Sequence, residues 1–160
     1  MTTTTHPKPG TAAEPTAAPR IVVGIDGSEA SRAALQWAAG QARLTGARLQ
    51  VVAAWQFPTY AYTALAPLPS TLDLRTTTEE TLRDVIADVL GRSADLDLTH
   101  LTKEGDPAHV LLEAAEGADL VVVGSRGHGA FAGLVLGSVS GRVAAHARCP
   151  VVVVHAAPGP

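Results

Sequence analysis

A chain of 160 residues, 46% of them apolar, is long enough for one domain with an ordinary core, and an aromatic share of only 4% means that Val, Leu, Ile and Ala must build it. A net charge of −3 and a pI near 6.0 exclude the basic footprint of a nucleic-acid binder. A single cysteine, Cys149, excludes an internal disulfide framework and fits a reducing compartment.

The N-terminal stretch MTTTTHPKPGTAAEPTAAP is Thr, Ala and Pro without a period and without the apolar centre of a signal peptide, so residues 1–19 are expected to be a disordered tail ahead of a domain spanning 20–156. No apolar run approaches the ~20 residues that cross a bilayer, so no membrane association is expected and the location expected is cytoplasmic. Ile21-Val22-Val23-Gly24-Ile25 reads as a first strand buried on both faces, ended by Asp26-Gly27-Ser28. Ser28 then caps a helix on which Ala30, Ala33, Ala34, Trp37, Ala38 and Leu44 recur near period 3.6, with Gly46 as its stop. Leu49 to Trp55 is a second buried strand. Residues 56–74 hold three prolines and no period, and read as loop. Thr78 to Leu90 reads as a helix with Leu82, Val85, Ile86, Val89 and Leu90 on one stripe.

Leu96 to Lys103 alternates apolar and polar residues, the pattern of a partly exposed strand. Asp106-Pro107 opens a helix, with Asp as cap and Pro at the first helical position, and Val110, Leu111, Leu112 and Ala115 form its apolar face. Asp119 to Val123 is a fourth strand, Ser138 to Ala147 a helix, and Val151 to Val154 a fifth strand. Strand and helix alternate, which predicts an α/β domain: a parallel sheet with helices on both faces, joined by right-handed crossovers. Five-stranded sheets of this kind commonly run in the order 3-2-1-4-5, and ligands bind where the strand order reverses, beyond the carboxyl ends of the first and fourth strands. Those ends carry Asp26-Gly27-Ser28 and Gly124-Ser125-Arg126-Gly127.

Between the fourth strand and the last helix runs GSRGHGAFAGLVLGSVS, residues 124–140, with five glycines in seventeen positions. Gly124 and Gly127 leave backbone N–H groups open to an anion. Gly137-Ser138 sits at a helix start, which offers free N–H groups, a partial positive charge and a hydroxyl. Two donor clusters set apart in this way suit a polyphosphate better than one phosphate. Arg126 and His128 could add charge or hydrogen bonds, Asp26 has the acceptor character that ribose hydroxyls need, and Ala54 with Val123 could line a slot for a base.

The spacing G-x2-G-x9-G-[ST] in that stretch resembles the nucleotide-binding pattern of the universal stress protein family. Ile-Val-Val-Gly-Ile-Asp-Gly-Ser at 21–28 looks like that family's opening strand, and Cys149-Pro150-Val151-Val152-Val153-Val154 like its closing one. The resemblance runs from about Arg20 to His155. It implies a single-domain, flavodoxin-like (Rossmann-like) fold, usually a homodimer, and ATP binding in members that carry the motif. By that resemblance Asp26 contacts the ribose, Ala54 and Val123 the adenine, and Gly124, Gly127, Gly137, Ser138 and Val139 the phosphates, with Ala54 placed only by counting from its strand end.

The pattern G-x4-G-K-[ST] is absent, and no acidic pair is spaced to hold Mg²⁺, although Asp26 could share an ion that arrives with ATP. The expected function is therefore a nucleotide-sensing regulatory protein of the stress response with little or no turnover. The alternatives are a slow ATPase or an enzyme that phosphorylates its own Ser138 or Ser140, and a nucleotide-free adaptor. The histidines show no metal-ligand pairing, and Cys149, just before a buried strand, reads as a structural thiol. Val151 to Val154, apolar and at the expected sheet edge, predicts a homodimer through residues 149–156.

Overall fold

The β-branched runs form the sheet that their order implies. In the computed structural model, residues 18–56, 71–91, 95–127 and 136–156 are described. The tail through residue 17, most of the proline-rich loop and His128 lie outside them. Five strands, β1 (Arg20–Gly24), β2 (Arg48–Trp55), β3 (Leu98–Glu104), β4 (Leu120–Gly124) and β5 (Val151–Val154), pair in the order β3-β2-β1-β4-β5. Every pairing is parallel, with Val22 beside Gln50 on one flank and beside Val121 on the other. Among the described residues four helices connect them: α1 (Glu29–Thr45), α2 (Thr71–Leu90), α3 (Pro107–Ala114) and α4 (Ser138–His146).

Alternation along each strand sorts the core into two layers. Ile21, Val23, Leu49, Val51 and Val122 face α1 and α2. Val22, Val52, Val121 and Val123 face α3 and α4. Full burial of a valine contributes roughly 1.5–3 kcal/mol, so these short strands supply much of the driving force without aromatic residues.

The helix caps follow the local chemistry. The Ser28 side chain accepts the Ser31 N–H at 3.2 Å, and the Asp106 carboxylate accepts the His109 N–H at 3.0 Å. Gly46, at φ 67°, ends α1 in the left-handed conformation that glycine adopts without steric cost.

The structure corrects the sequence reading in three places. The buried face of α1 is Ala30, Ser31, Ala34, Leu35, Ala38, Ala39 and Ala42, whereas Trp37 and Leu44 point outward, 40% and 84% exposed. Apart from Leu35 these are small side chains, which lets the helix lie close to the sheet. Helix α2 begins at Thr71, seven residues before the expected start, so the expected loop over 56–74 is helical from 71 onward. Strand β3 is shifted to Leu98–Glu104, because its register is set by pairing along β2, from Leu49 with Leu98 to Trp55 with Glu104. Leu96 packs on the core from outside that strand.

Candidate functional site

The carboxyl ends of β1 and β4, adjacent in the sheet, open into a crevice of about 440 Å³, within the usual range of small-molecule sites. Asp26, Ala54, Val123, Gly124, Arg126, Gly127, Gly137, Ser138 and Val139 all line it. The fold thus gathers into one hollow every expected site residue except His128, which lies outside the described residues.

The crevice carries groups of opposite polarity. Asp26 stands exposed above β1. Its Oδ1 accepts the Ser28 backbone N–H at 3.0 Å and the Ser28 hydroxyl at 2.6 Å, which holds the carboxylate over the crevice. Gly127 comes so close to Oδ2 that a β-carbon there would collide with it. The start of α4 also borders the crevice, and its cap residue Gly137 has no side chain with which to satisfy the first helical N–H groups. In α1 and α3 those groups are capped by Ser28 and Asp106. Arg126 is the one cationic side chain among the described residues that line the crevice. An uncapped helix start and a guanidinium on one crevice favour an anion, and a carboxylate there favours hydroxyl donors.

Much of the remaining wall is apolar, with the buried Ser31 and Ser140 also bordering it. Val52 and Ala54 come from β2, Val123 from β4, and Pro107 and Leu111 from α3. The contribution of α3 was not anticipated. Its signal in the sequence is Gly24 of the first strand: a β-carbon at Gly24 would lie 2.7 Å from Leu111 Cδ1, so the missing side chain is what admits Leu111 to the crevice. Gly124 likewise has a packing duty, since a β-carbon there would lie 2.7 Å from the Ala30 carbonyl carbon and 2.8 Å from the Ser31 nitrogen.

Helices α3 and α4, which form one side of the site, are tied by an ion pair between Asp106 Oδ1 and Arg142 Nη1 at 2.8 Å. The Arg142 hydrogen bond, followed by the His109 N–H, holds the Asp106 carboxyl below the usual aspartate range. Cys149 is partly buried against the α3/α4 layer, and burial pushes its thiol up. Among the described residues no group of three or more His, Cys, Asp or Glu side chains could hold a metal ion, and no helix is long and apolar enough to cross a membrane.

A family model for the universal stress proteins matches residues 18–155. A universal stress protein of Mycolicibacterium smegmatis is 38% identical over 138 residues, which cover 84% of this chain and 45% of that protein. Another, from Thermus aquaticus, is 37% identical over 136 residues, covering 84% of this chain and 96% of its own length. The chain thus spans about half the length of the mycobacterial relatives it matches. Among solved structures, a universal stress protein in complex with cAMP is 27% identical with a TM-score of 0.67, covering 89% of this chain and 100% of the other. A universal stress protein from Lactobacillus plantarum shares the fold at a TM-score of 0.67, with 24% identity over 87% of this chain and 99% of its own.

Proposed function

The chain belongs to the universal stress protein family, and from that premise we propose that its crevice binds an adenine nucleotide, ATP in particular, and holds it as a sensed ligand with little or no turnover. One observation carries this reading: the Asp26 carboxylate, the Gly124–Gly127 turn and the uncapped start of α4 at Gly137-Ser138 face a single polarised hollow. The cAMP complex of a relative supports an adenine nucleotide as the class of ligand.

In this reading the ribose hydroxyls donate to Asp26, and the base lies on Ala54 and Val123, with Val52 and Leu111 beside them. The phosphates take N–H donors from Gly127, Ser138 and Val139, the Ser138 hydroxyl and the Arg126 guanidinium, with Gly124 forming the floor of the turn. Any Mg²⁺ comes with the phosphates, and Asp26 is the carboxylate placed to share it. Fast hydrolysis needs an oriented water and a charge clamp on the terminal phosphate. Arg126, the only cation lining the described site, is exposed and makes a poor clamp. ATP then acts by mass action: a ligand present at ~100 times its Kd stabilises the state that binds it by about 2.7 kcal/mol. The protein is proposed to act in the cytoplasm as a homodimer joined along β5.

One feature favours the enzymatic alternative over a plain adaptor. Ser138 is exposed at the first position of α4, where a transferred phosphoryl group would meet the helix N-terminus. Incubation with labelled ATP, followed by mass spectrometry of the small molecules released on denaturation, separates the readings. Intact bound ATP without turnover is the expected result. Turnover that Ser138→Ala abolishes while binding persists would establish the enzyme instead. An absence of bound nucleotide at millimolar ATP would leave only the adaptor.

A further inference from the structure

Ser140 is 3% exposed and Ser125 2% exposed, which makes them two of the three buried polar side chains among the described residues. A buried polar group away from solvent needs a partner, and its partner states its duty. The Ser140 hydroxyl donates to the Ser125 carbonyl at 2.8 Å and lies 3.2 Å from the Gly137 carbonyl. The same Ser125 carbonyl accepts the Gly137 N–H at 2.8 Å. The Ser125 N–H in turn donates to the Val154 carbonyl of β5 at 2.7 Å. Ser125 is therefore a post fixed in the sheet, and two donors from the far end of the glycine-rich segment are fastened to it.

We infer that Ser140 is a positioning residue: its hydroxyl clasps the start of α4 to the end of β4 and so holds the two donor clusters of the phosphate site at their working separation before any ligand arrives. This rests on the nucleotide reading given above. The geometry shows why the hydroxyl matters beyond filling space. Further along, α4 is held by the buried Val143 and by the Arg142–Asp106 pair; at its start the Gly137 N–H bond is one contact to Ser125, and the Ser140 bond, made three residues on, supplies a second. Two contacts to one carbonyl fix both the position and the tilt of the helix start, and with them the aim of the Ser138 and Val139 N–H groups. A buried hydroxyl whose proton is already donated is also a poor phosphoryl acceptor, so any autophosphorylation falls to the exposed Ser138 rather than to Ser140.

The test is Ser140→Ala, which removes the donor without adding bulk and places a strong helix former in α4. Binding of ATP and of adenosine is measured for both proteins, and amide exchange at Gly137 is followed in the ligand-free state. The expected result is ATP affinity lower by about five- to tenfold, in line with the net worth of one hydrogen bond, adenosine affinity within about twofold, and faster exchange at Gly137. Equal losses for ATP and adenosine would overturn the proposal, because Ser140 would then merely support the fold. Unchanged ATP affinity, or unchanged exchange at Gly137, would overturn it as well. If the unaltered protein binds neither ATP nor adenosine, the nucleotide reading fails, while the exchange measurement still decides whether the clasp exists.

Discussion

Three glycines around the crevice, each replaced by alanine, should give three different outcomes, because what a β-carbon meets differs at each. At Gly124 it would meet the Ala30 carbonyl carbon at 2.7 Å, the Ser31 nitrogen at 2.8 Å and the Ala30 β-carbon at 2.9 Å. Two of these are backbone atoms of a packed helix, so relief requires that the start of α1 move off the sheet. Overpacking of that kind costs about 1–3 kcal/mol, and in a domain of this size each kcal/mol lowers Tm by roughly 3 °C. Gly124→Ala should therefore melt about 3–10 °C below the wild type.

At Gly127 the β-carbon meets only the Asp26 carboxylate, which is exposed and can swing away if it gives up its hydrogen bonds from Ser28. Gly127→Ala should lower Tm by no more than about 6 °C, since each of the two exposed hydrogen bonds is worth only ~1 kcal/mol, and should lose about tenfold in ATP affinity through the displaced ribose acceptor. At Gly137 the nearest atoms would lie at 3.5–3.6 Å, which is ordinary contact, and φ is −73°. The weaker cap costs less than ~1 kcal/mol, and the stiffer unfolded chain returns ~0.4–1 kcal/mol, so Gly137→Ala should melt with the wild type. Thermal melts and ATP titrations of the three variants decide the matter. An unchanged Tm for Gly124→Ala, or wild-type ATP affinity for Gly127→Ala, would refute the division of labour among these glycines.

Two further outcomes follow from the edge and from the charges. All four valines of β5 are only half-buried, and the strand lies at the end of the sheet beside β4; Val152→Lys or Val153→Lys should convert a dimer to monomer in sedimentation, and an unchanged dimer would exclude this edge as the interface. Asp106→Asn keeps a good helix cap but loses the ion pair to Arg142. Because the folded Asp106 carboxyl sits below the usual aspartate range, its contribution is present above the ordinary aspartate pKa and is lost as pH falls through the lowered one. The pair is partly exposed, so the wild type should exceed the variant by under ~1 kcal/mol at pH 7, and denaturant titrations should show the gap closing in that acidic window. A gap that persists under strong acid would mean that the cap, and not the charge, carries the effect.

Much of the fold was legible because the strands are short runs of Val and Ile with few competing readings. Val151–Val154 and the strand order 3-2-1-4-5 emerge as the sequence implied. The early start of α2 was hidden for a physical reason. Asp73, Arg75, Thr76 and Thr77 are exposed, so this stretch buries no stripe, and its run of threonines argues against helix on propensity. The one available signal was the Arg75–Glu79 spacing, which forms an i,i+4 ion pair at 2.8 Å. In α1 the period is visible but its phase is not, because Trp37 and Leu44 are hydrophobic yet exposed, while the face on the sheet is mostly alanine.

The candidate site was legible in its membership and less so in its reasons. Glycines in a strand-to-helix crossing suggest that backbone must touch a ligand, and the chain does bring those residues to one hollow. Yet the space left by Gly24 is taken by Leu111, that left by Gly124 by the start of α1, and that left by Gly127 by Asp26. Each is a contact within the protein, made between segments far apart in sequence, which no spacing pattern reveals. The serines invert the lesson. Ser138 and Ser140 look equivalent in GSVS, but one is exposed at the helix start while the other turns inward to the Ser125 carbonyl. Two residues along a helix is a rotation of about 200°, so although both serines border the crevice, Ser138 stays exposed to it while the Ser140 hydroxyl turns back onto the Ser125 carbonyl. The repeat of serine at that interval therefore supplies both a hydroxyl for a ligand and a hydroxyl to hold the ligand site in place.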